Sequence, residues 1–348
     1  MVYLKSWGQN VIRLGVMWPG VEPSEGAYNE TYLSGMNQLV ELAGKYGIYT
    51  LVEFHQDLFS EKFCADGVPI WAIPKSMSRG FPLPISKPGT FDNQTGYPIG
   101  KTCMGHPWGE FYTTFSVNEG FHALYTNKHK LLDKFTNYWR TVARTFVNND
   151  YVLAYELINE PWPGNLYNNP LVMVPHLSEL FNLQRVYDHI SAAIREIDPH
   201  HPICFEPVMW LNTISAGFTH PPGGKRYSNQ SILCYHYYNP PTIKLEGFMQ
   251  ARMNDIKRLG TGGILSEFFI IGEEGKKNRA MMDQCDKHHQ SWIGWLYKPF
   301  SGYQRDHRTA EAISPNDDDV SFFFHNNGTV NEEGVRLIAR TYAPTVAG

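Results

Sequence analysis

A single α/β barrel is the fold this sequence predicts, and three observations predict it. Short apolar, β-rich runs recur along the chain, each followed by a helical pattern, which is the rhythm of parallel βαβ units. The length, 348 residues, lies within the roughly 200 to more than 400 that one such barrel spans. No internal repeat, low-complexity tract or Pro/Ser-rich linker divides the chain, so residues 1–348 read as one domain.

The elements follow in order. NVIRLGV (Asn10 to Val16) is the first strand, with a helix from about Thr31 to Tyr46 behind it. IYTLVEFH (Ile48 to His55), VLAYELINE (Val152 to Glu160) and PICFEPV (Pro202 to Val208) come next, then SILCYHYY (Ser231 to Tyr238), GGILSEFF (Gly262 to Phe269) and SWIGWLYK (Ser291 to Lys298). Helical patterns fill the gaps at Leu124 to Phe146, Leu177 to Ile197, Gly247 to Leu259, Lys276 to His289 and Glu332 to Tyr342. The rhythm fails from Leu58 to about Gly120, a stretch dense in Gly, Pro and aromatics. So long an irregular segment in a compact domain is usually functional. It follows the strand ending in His55, so a barrel places it on the catalytic face as a cleft wall or lid.

Composition narrows the function. The formal charge is −4, which gives no electrostatic footprint for nucleic acid. Aromatics at 14% exclude disorder, and no apolar run reaches the length of a membrane span. The start, Met1-Val2-Tyr3-Leu4-Lys5, is not a signal peptide. Four N-x-S/T sequons, at Asn29, Asn93, Asn229 and Asn327, nonetheless favour a secretory route. The five cysteines match no metal-binding pair. Cys204 and Cys234, in apolar runs, read as buried inert thiols, whereas Cys64 and Cys103 bracket the long loop and could close it with a disulfide.

Ionisable residues recur at the C-terminal ends of the strands: Arg13, His55 with Asp57, Asn159-Glu160, His236 with Tyr238, Glu267, and Trp295 beside them. A barrel gathers these ends around one mouth. Asn159-Glu160-Pro161 sets a carboxyl just past a buried strand, with Pro ending the ladder, and ILSEFF sets Glu267 at an equivalent point. Two facing carboxyls are the equipment of a retaining glycosidase, one ionised to attack the anomeric carbon and one protonated to serve the leaving oxygen. Asn159 is placed to hydrogen-bond a sugar 2-hydroxyl. Glu156 shares the parity of Glu160 and reads as a buried partner for a base such as Arg13; Glu53 and Glu206 read as structural too. His200-His201 and His288-His289 flank helices without a carboxylate at ligand spacing, so no metal and no other cofactor is expected.

With these residues in place, the chain resembles the retaining glycosidases built on (β/α)8 TIM barrels, glycoside hydrolase family 5 in particular. NVIRLGVMWPGVEP (Asn10 to Pro23), VEFHQD (Val52 to Asp57) and WAIP (Trp71 to Pro74) are similar to endoglycoceramidases within it, and the resemblance covers nearly the whole chain. It implies Glu160 as general acid/base and Glu267 as nucleophile. It further implies that Arg13, His55, Asp57, Asn159, His236 and Tyr238 bind or orient the sugar, with Tyr238 steadying Glu267 and Trp295 forming a platform. The expected reaction is endo-hydrolysis of the oligosaccharide–ceramide linkage of a glycosphingolipid, with contact to a membrane surface or micelle and a secreted or lysosomal setting. Another family 5 β-glycosidase, a β-glucanase or monoglycosylceramidase, and an inactive truncated glycan- or lipid-binding fragment are the alternatives. Arg13 belongs on the family's second strand, so strand one and any leader are expected to be missing, as is the β-sandwich that follows the barrel in such relatives. For the lipid, the expected wall is an apolar groove beside Glu160. Its candidates are Phe59, Phe63, Trp71, Ile73, Phe81 and Leu83 of the long loop, with Val208, Met209, Trp210 and Leu211.

Overall fold

All seven expected strands form, as β1 (Val11–Gly15), β2 (Tyr49–Glu53), β3 (Val152–Glu156), β4 (Ile203–Phe205), β5 (Ser231–Tyr237), β6 (Gly262–Phe268) and β7 (Ser291–Trp292). The computed structural model describes residues 1–209, 214–238, 244–268, 275–297, 323–324 and 328–339. The strands pair in chain order, every pair parallel, as one sheet with the helices outside it. This is the (β/α)8 TIM barrel architecture carried on seven strands, and among the described residues no ladder joins β7 back to β1. A cavity of about 470 Å³ occupies that seam, with Leu4, Ile12, Trp292 and Phe323 among its walls and Arg13, Glu267 and Trp295 on its lining as well.

Side-chain alternation explains why the barrel delivers charge to one place. Inward-facing positions recur every second residue along a strand. Leu51, Ala154, Cys204, Cys234 and Ile264 form one apolar cluster inside the sheet. Two residues further along four of these strands stand Glu53, Glu156, Glu206 and His236, all buried. On the fifth, the register slips between Tyr235 and His236, so that His236 pairs with Glu267 rather than Ser266. The irregularity aims Glu267 at the same layer, a common use of a bulge beside a site.

That layer also corrects the reading of two cysteines. Cys204 and Cys234 are not separate thiols but a disulfide between β4 and β5, Cα atoms 5.8 Å apart. Each lies in an apolar run, and what the runs do not reveal is that both point inward on neighbouring strands. Cys64 and Cys103 are joined as expected, Cα atoms 5.4 Å apart. Cys285 is buried.

The helices match the expected pattern with one break. A helix from Phe115 to Tyr125 starts inside the stretch read as irregular, with the Thr114 hydroxyl accepting from the Val117 amide. The next runs Leu131–Phe146. Between them Asn127, His129 and Lys130 take φ of 57°, 58° and 59°, a left-handed turn that divides the single helix expected from Leu124. The π-turn Glu179–Leu183 leads into helix Gln184–Arg195, and the last described helix is Glu332–Ile338, Tyr342 lying outside the described residues.

The long loop packs its apolar side chains into the main core, which overturns the expected groove. Phe59, Phe63, Ile73, Phe81 and Val208 are fully buried in the main core. Phe63 packs on Phe81, and Phe81 on Phe111, with ring centroids 5.3 and 5.7 Å apart. Trp71 and Met209 are half-buried and only Leu83 is exposed; Trp210 and Leu211 lie outside the described residues. A segment with few ladder hydrogen bonds holds its shape by burying its own side chains, so its largest apolar groups point inward.

Candidate active site

The centre of the site is an arginine surrounded by carboxylates. Arg13, inward on β1, donates Nε to Glu156 Oε2 at 2.5 Å, Nη1 to Glu267 Oε2 at 2.6 Å and Nη2 to Asn159 Oδ1 at 2.7 Å. Nη2 is also 3.1 Å from Glu53 and 3.6 Å from Glu206. Glu156 is thus the buried partner for Arg13 that its parity implied. All three guanidinium nitrogens are engaged, so Arg13 holds the carboxylates in place while it also lines the cavity at the seam. Burial works against the charge on Arg13, and the carboxylates of Glu156, Glu53 and Glu267 more than restore it, so its pKa stands raised. Against its own burial, Glu53 is pulled down to about 2 by Arg13 and His55.

Glu160 is presented on a strained turn. Its φ is +41°, a left-handed value that costs a residue with a Cβ on the order of 1–3 kcal/mol. Gln56, fully buried, holds the turn. Its amide donates to the carbonyls of Asn159 at 2.7 Å and Glu160 at 3.1 Å, while its oxygen accepts from the Phe59 amide at 2.8 Å. Asn159 donates back to the Gln56 carbonyl at 2.9 Å. Gln56 is a functional residue that sequence reasoning missed. Its signal was present in VEFHQD, in the position between His55 and Asp57.

Glu160 and Glu267 face one another. One carboxylate oxygen of each, with a ring nitrogen of His236, all lie within 4.8 Å. That closeness falls on the retaining side, about 5–5.5 Å, of the divide from the 6.5–9.5 Å that leaves room for an inverting water. Their surroundings differ. Glu267 accepts from Arg13 and from the Tyr238 hydroxyl, two donors that favour its charged form. Glu160 is contacted by His236 Nδ1 at 2.8 Å, and burial with the nearby Asp57 charge pushes it up to about 7. Burial leaves Glu267 raised as well, with the Arg13 charge acting against that rise. Burial pushes His236 itself down to about 4, so the imidazole is neutral near pH 7.

A second cluster flanks the pair. His55 Nδ1 lies 2.9 Å from Glu53 and Nε2 3.4 Å from Asp57. Against burial, these carboxylates hold His55 protonated well above its ordinary value. Trp295 stacks on His55 with ring centroids 5.3 Å apart and planes 12° apart, so one face of the expected platform is already occupied. The Asp57 amide donates to Asp66 Oδ1 at 2.9 Å, and burial with the Asp57 charge pushes Asp66 up to about 7. Asp66 gave no sequence signal, since it comes from the irregular loop. The Tyr112 hydroxyl reaches Asp57 at 3.5 Å.

The nine residues expected at the site therefore converge, and Gln56, Asp66, Glu53, Glu156 and Glu206 join them. The carboxylates of Glu160 and Glu267 with His236, and of Glu156 and Glu206 with His236, bring ligand-type atoms together. Among these carboxylates, Glu156, Glu206 and Glu267 lie beside the Arg13 guanidinium. His201 instead caps a turn through Asp198, at 2.6 Å.

Known proteins share this arrangement of elements. The chain is 39% identical over 348 residues to an endoglycoceramidase of Hydra vulgaris, covering 100% of this chain and 65% of that protein. With an endoglycoceramidase of Cyanea nozakii the identity is 40% over 351 residues, covering 100% and 68%. The chain thus spans about two thirds of the length of these curated relatives. Among solved structures, endo-glycoceramidase II from Rhodococcus sp., as its lactosyl-enzyme intermediate, superposes with a TM-score of 0.74 at 21% identity. It covers 100% of this chain and 74% of that one, and shares the fold. The model of the cellulase family, glycosyl hydrolase family 5, matches residues 1–301, and with these relatives it establishes that the chain belongs to glycosyl hydrolase family 5.

Proposed function

We propose that this chain is the catalytic barrel of a retaining endo-β-glycosidase that hydrolyses the linkage between oligosaccharide and ceramide in glycosphingolipids. The observation that carries the chemistry is the close carboxyl pair with unequal surroundings. Glu267, held ionised by Arg13 and Tyr238, attacks the anomeric carbon. Glu160, held neutral by burial and Asp57, donates its proton to the departing oxygen. The covalent glycosyl-enzyme then forms, Glu160 is left as a carboxylate, and it takes a proton from water as that water attacks. Hydrolysis restores both groups. Asn159 offers its remaining amide hydrogen to the sugar 2-hydroxyl, His55 and Asp57 line the sugar side, and Trp295 closes it.

The substrate half of the proposal is supported by the relatives named endoglycoceramidase across the whole of this chain. The lipid side is assigned to an exposed apolar rim in place of the groove. Leu83, Met104, Trp108, Phe115 and Tyr167 are exposed on the segments that follow β2 and β3. Phe115 donates its amide to the Leu83 carbonyl and packs on Tyr167, ring centroids 4.6 Å apart. Trp108 packs on Tyr112, and Tyr112 stacks on Trp162, two residues past Glu160. Such a rim suits contact with a micelle or membrane surface, where each buried CH₂ contributes about 0.8 kcal/mol. A secretory or lysosomal setting is supported by the two disulfides and by sequons at Asn29, Asn93 and Asn229, all exposed; Asn327 lies outside the described residues.

Incubation with a defined ganglioside tests the reading. Intact oligosaccharide and free ceramide released together are the expected products. Cleavage confined to cellulose oligomers would make the chain a β-glucanase, cleavage of glucosylceramide alone a monoglycosylceramidase, and binding without turnover a glycan- or lipid-binding fragment.

A further inference from the structure

Glu206 lies behind the carboxyl pair and has no step in the double displacement. It follows β4 on the inward parity and is buried. Its Oε1 stands 3.4 Å from His236 Nε2, while the other ring nitrogen, Nδ1, is 2.8 Å from Glu160 Oε1. The imidazole thus stands between the carboxyls that the reaction uses, with Glu267 Oε1 farther from Nδ1 at 3.9 Å, and one carboxyl that it does not use.

What the ring does for Glu160 depends on where its single proton sits. If Nδ1 carries it, the ring donates to Glu160 Oε1, and the transferable proton of Glu160 rests on Oε2. If Nε2 carries it, Glu160 donates to the ring, and its proton is spent there and not on the leaving oxygen. The group facing Nε2 decides between these tautomers. Facing Glu206 are Glu156 from β3, Arg13 from β1 at 3.6 Å and His236 from β5, with the charges of Glu160 and Glu267 beyond. Arg13 is the only cation among them and is shared with Glu53, Glu156 and Glu267. Glu206 Oε1 has no hydrogen-bond donor among the described residues, which is costly for a buried carboxylate oxygen and is relieved if it carries a proton of its own.

We propose, resting on the glycosidase reading, that Glu206 is a positioning residue for the acid/base. Its O–H donates to His236 Nε2, which fixes Nδ1–H toward Glu160 Oε1 and leaves the transferable proton on Glu160 Oε2. Burial and the Glu156 charge, which hold the Glu206 carboxyl well above its usual range, support this assignment.

The test reads the ring directly. Nitrogen NMR of the unmutated protein with ¹⁵N-labelled histidine, the His236 signal identified by its loss in His236→Gln, should show a neutral Nδ1–H imidazole near pH 7. Glu206→Gln, whose amide still donates, should keep that tautomer, and Glu206→Leu should lose it. In turnover, Glu206→Leu should lower kcat/KM on a glycosphingolipid by about tenfold or more, the lower part of what a general acid supplies. The same variant should change release of an activated aryl leaving group, which needs no proton, by less than about threefold. Glu206→Gln should restore most of the loss. An Nε2–H ring in the unmutated protein overturns the proposal even where Glu206→Leu fails to fold. So does an equal loss on both substrates, or Glu206→Gln falling as far as Glu206→Leu. Absence of turnover by the unmutated protein on either substrate overturns instead the glycosidase reading, and the tautomer is still read in that event.

Discussion

Glu160 carries two demands at the residue scale, and they oppose each other. In the proposed mechanism it is the general acid, which at neutral pH has to hold its proton, and burial beside Asp57 favours that by pushing the group up to about 7. Activity on an unactivated glycoside should therefore fall as pH rises through about 7, since the acid form is lost. An activated leaving group should show a shallower alkaline fall in the glycosylation step. The same shift affects stability, and its sign follows from linkage. In the unfolded chain the carboxyl titrates near its ordinary value, so between there and about 7 the folded state binds more protons, and stability falls as pH rises. Glu160→Gln removes that cost. Its melting temperature should exceed that of the unmutated protein at pH 8 and differ little at pH 5. An equal gain at both values would show that the carboxyl is not raised by folding.

Single elements are organised by residues outside the carboxyl pair. The turn carrying Glu160 is held by Gln56, which satisfies two carbonyls at once. Gln56→Leu leaves both buried and unpartnered, at about 1–3 kcal/mol, and frees the left-handed turn to relax. The expected outcome is a lower denaturation midpoint and a loss of kcat larger than any change in KM, read by urea unfolding and steady-state kinetics. An unchanged kcat would show that the turn keeps its shape without the clamp. The loop after β2 depends on its disulfide in another way. Cys64–Cys103 closes a separation of 39 residues, for which the chain-entropy account gives about 4 kcal/mol. Cys64→Ser with Cys103→Ser should lower the melting temperature while far-ultraviolet circular dichroism stays that of the barrel. Protease cleavage should appear first within residues 64–103. Resistance there would assign the loop's order to Phe63, Phe81 and Phe111 alone.

For the molecule as a whole, what was legible in the sequence followed from periodicity, and what was not followed from tertiary geometry. Strand ends are local, so Arg13, His55, Asn159, Glu160, His236 and Glu267 could be placed around one mouth before any coordinate was known. The Cys204–Cys234 bond was not legible, because it requires knowing that β4 and β5 are neighbours with both thiols inward. The helix break at Asn127–Lys130 lay in left-handed backbone that three ordinary residues do not announce. The apolar groove failed for a physical reason: aromatic residues in a long loop are as useful for holding the loop as for holding a lipid, and here Phe59, Phe63 and Phe81 hold the loop. Arg13 was correctly brought to the site, but its contacts show a guanidinium consumed by four carboxylates and an amide, a role that no single motif spells out.

The central claim is a double displacement with Glu267 as nucleophile and Glu160 as acid/base, and trapping the intermediate tests it most directly. An activated 2-deoxy-2-fluoro glycoside slows both steps, with the good leaving group rescuing the first, so the glycosyl-enzyme accumulates. Peptide mass spectrometry should find one glycosyl group on Glu267, none after Glu267→Gln, and a labelled Glu267 still in Glu160→Gln. A label on Glu160, or no label together with product of inverted anomeric configuration, would contradict the account.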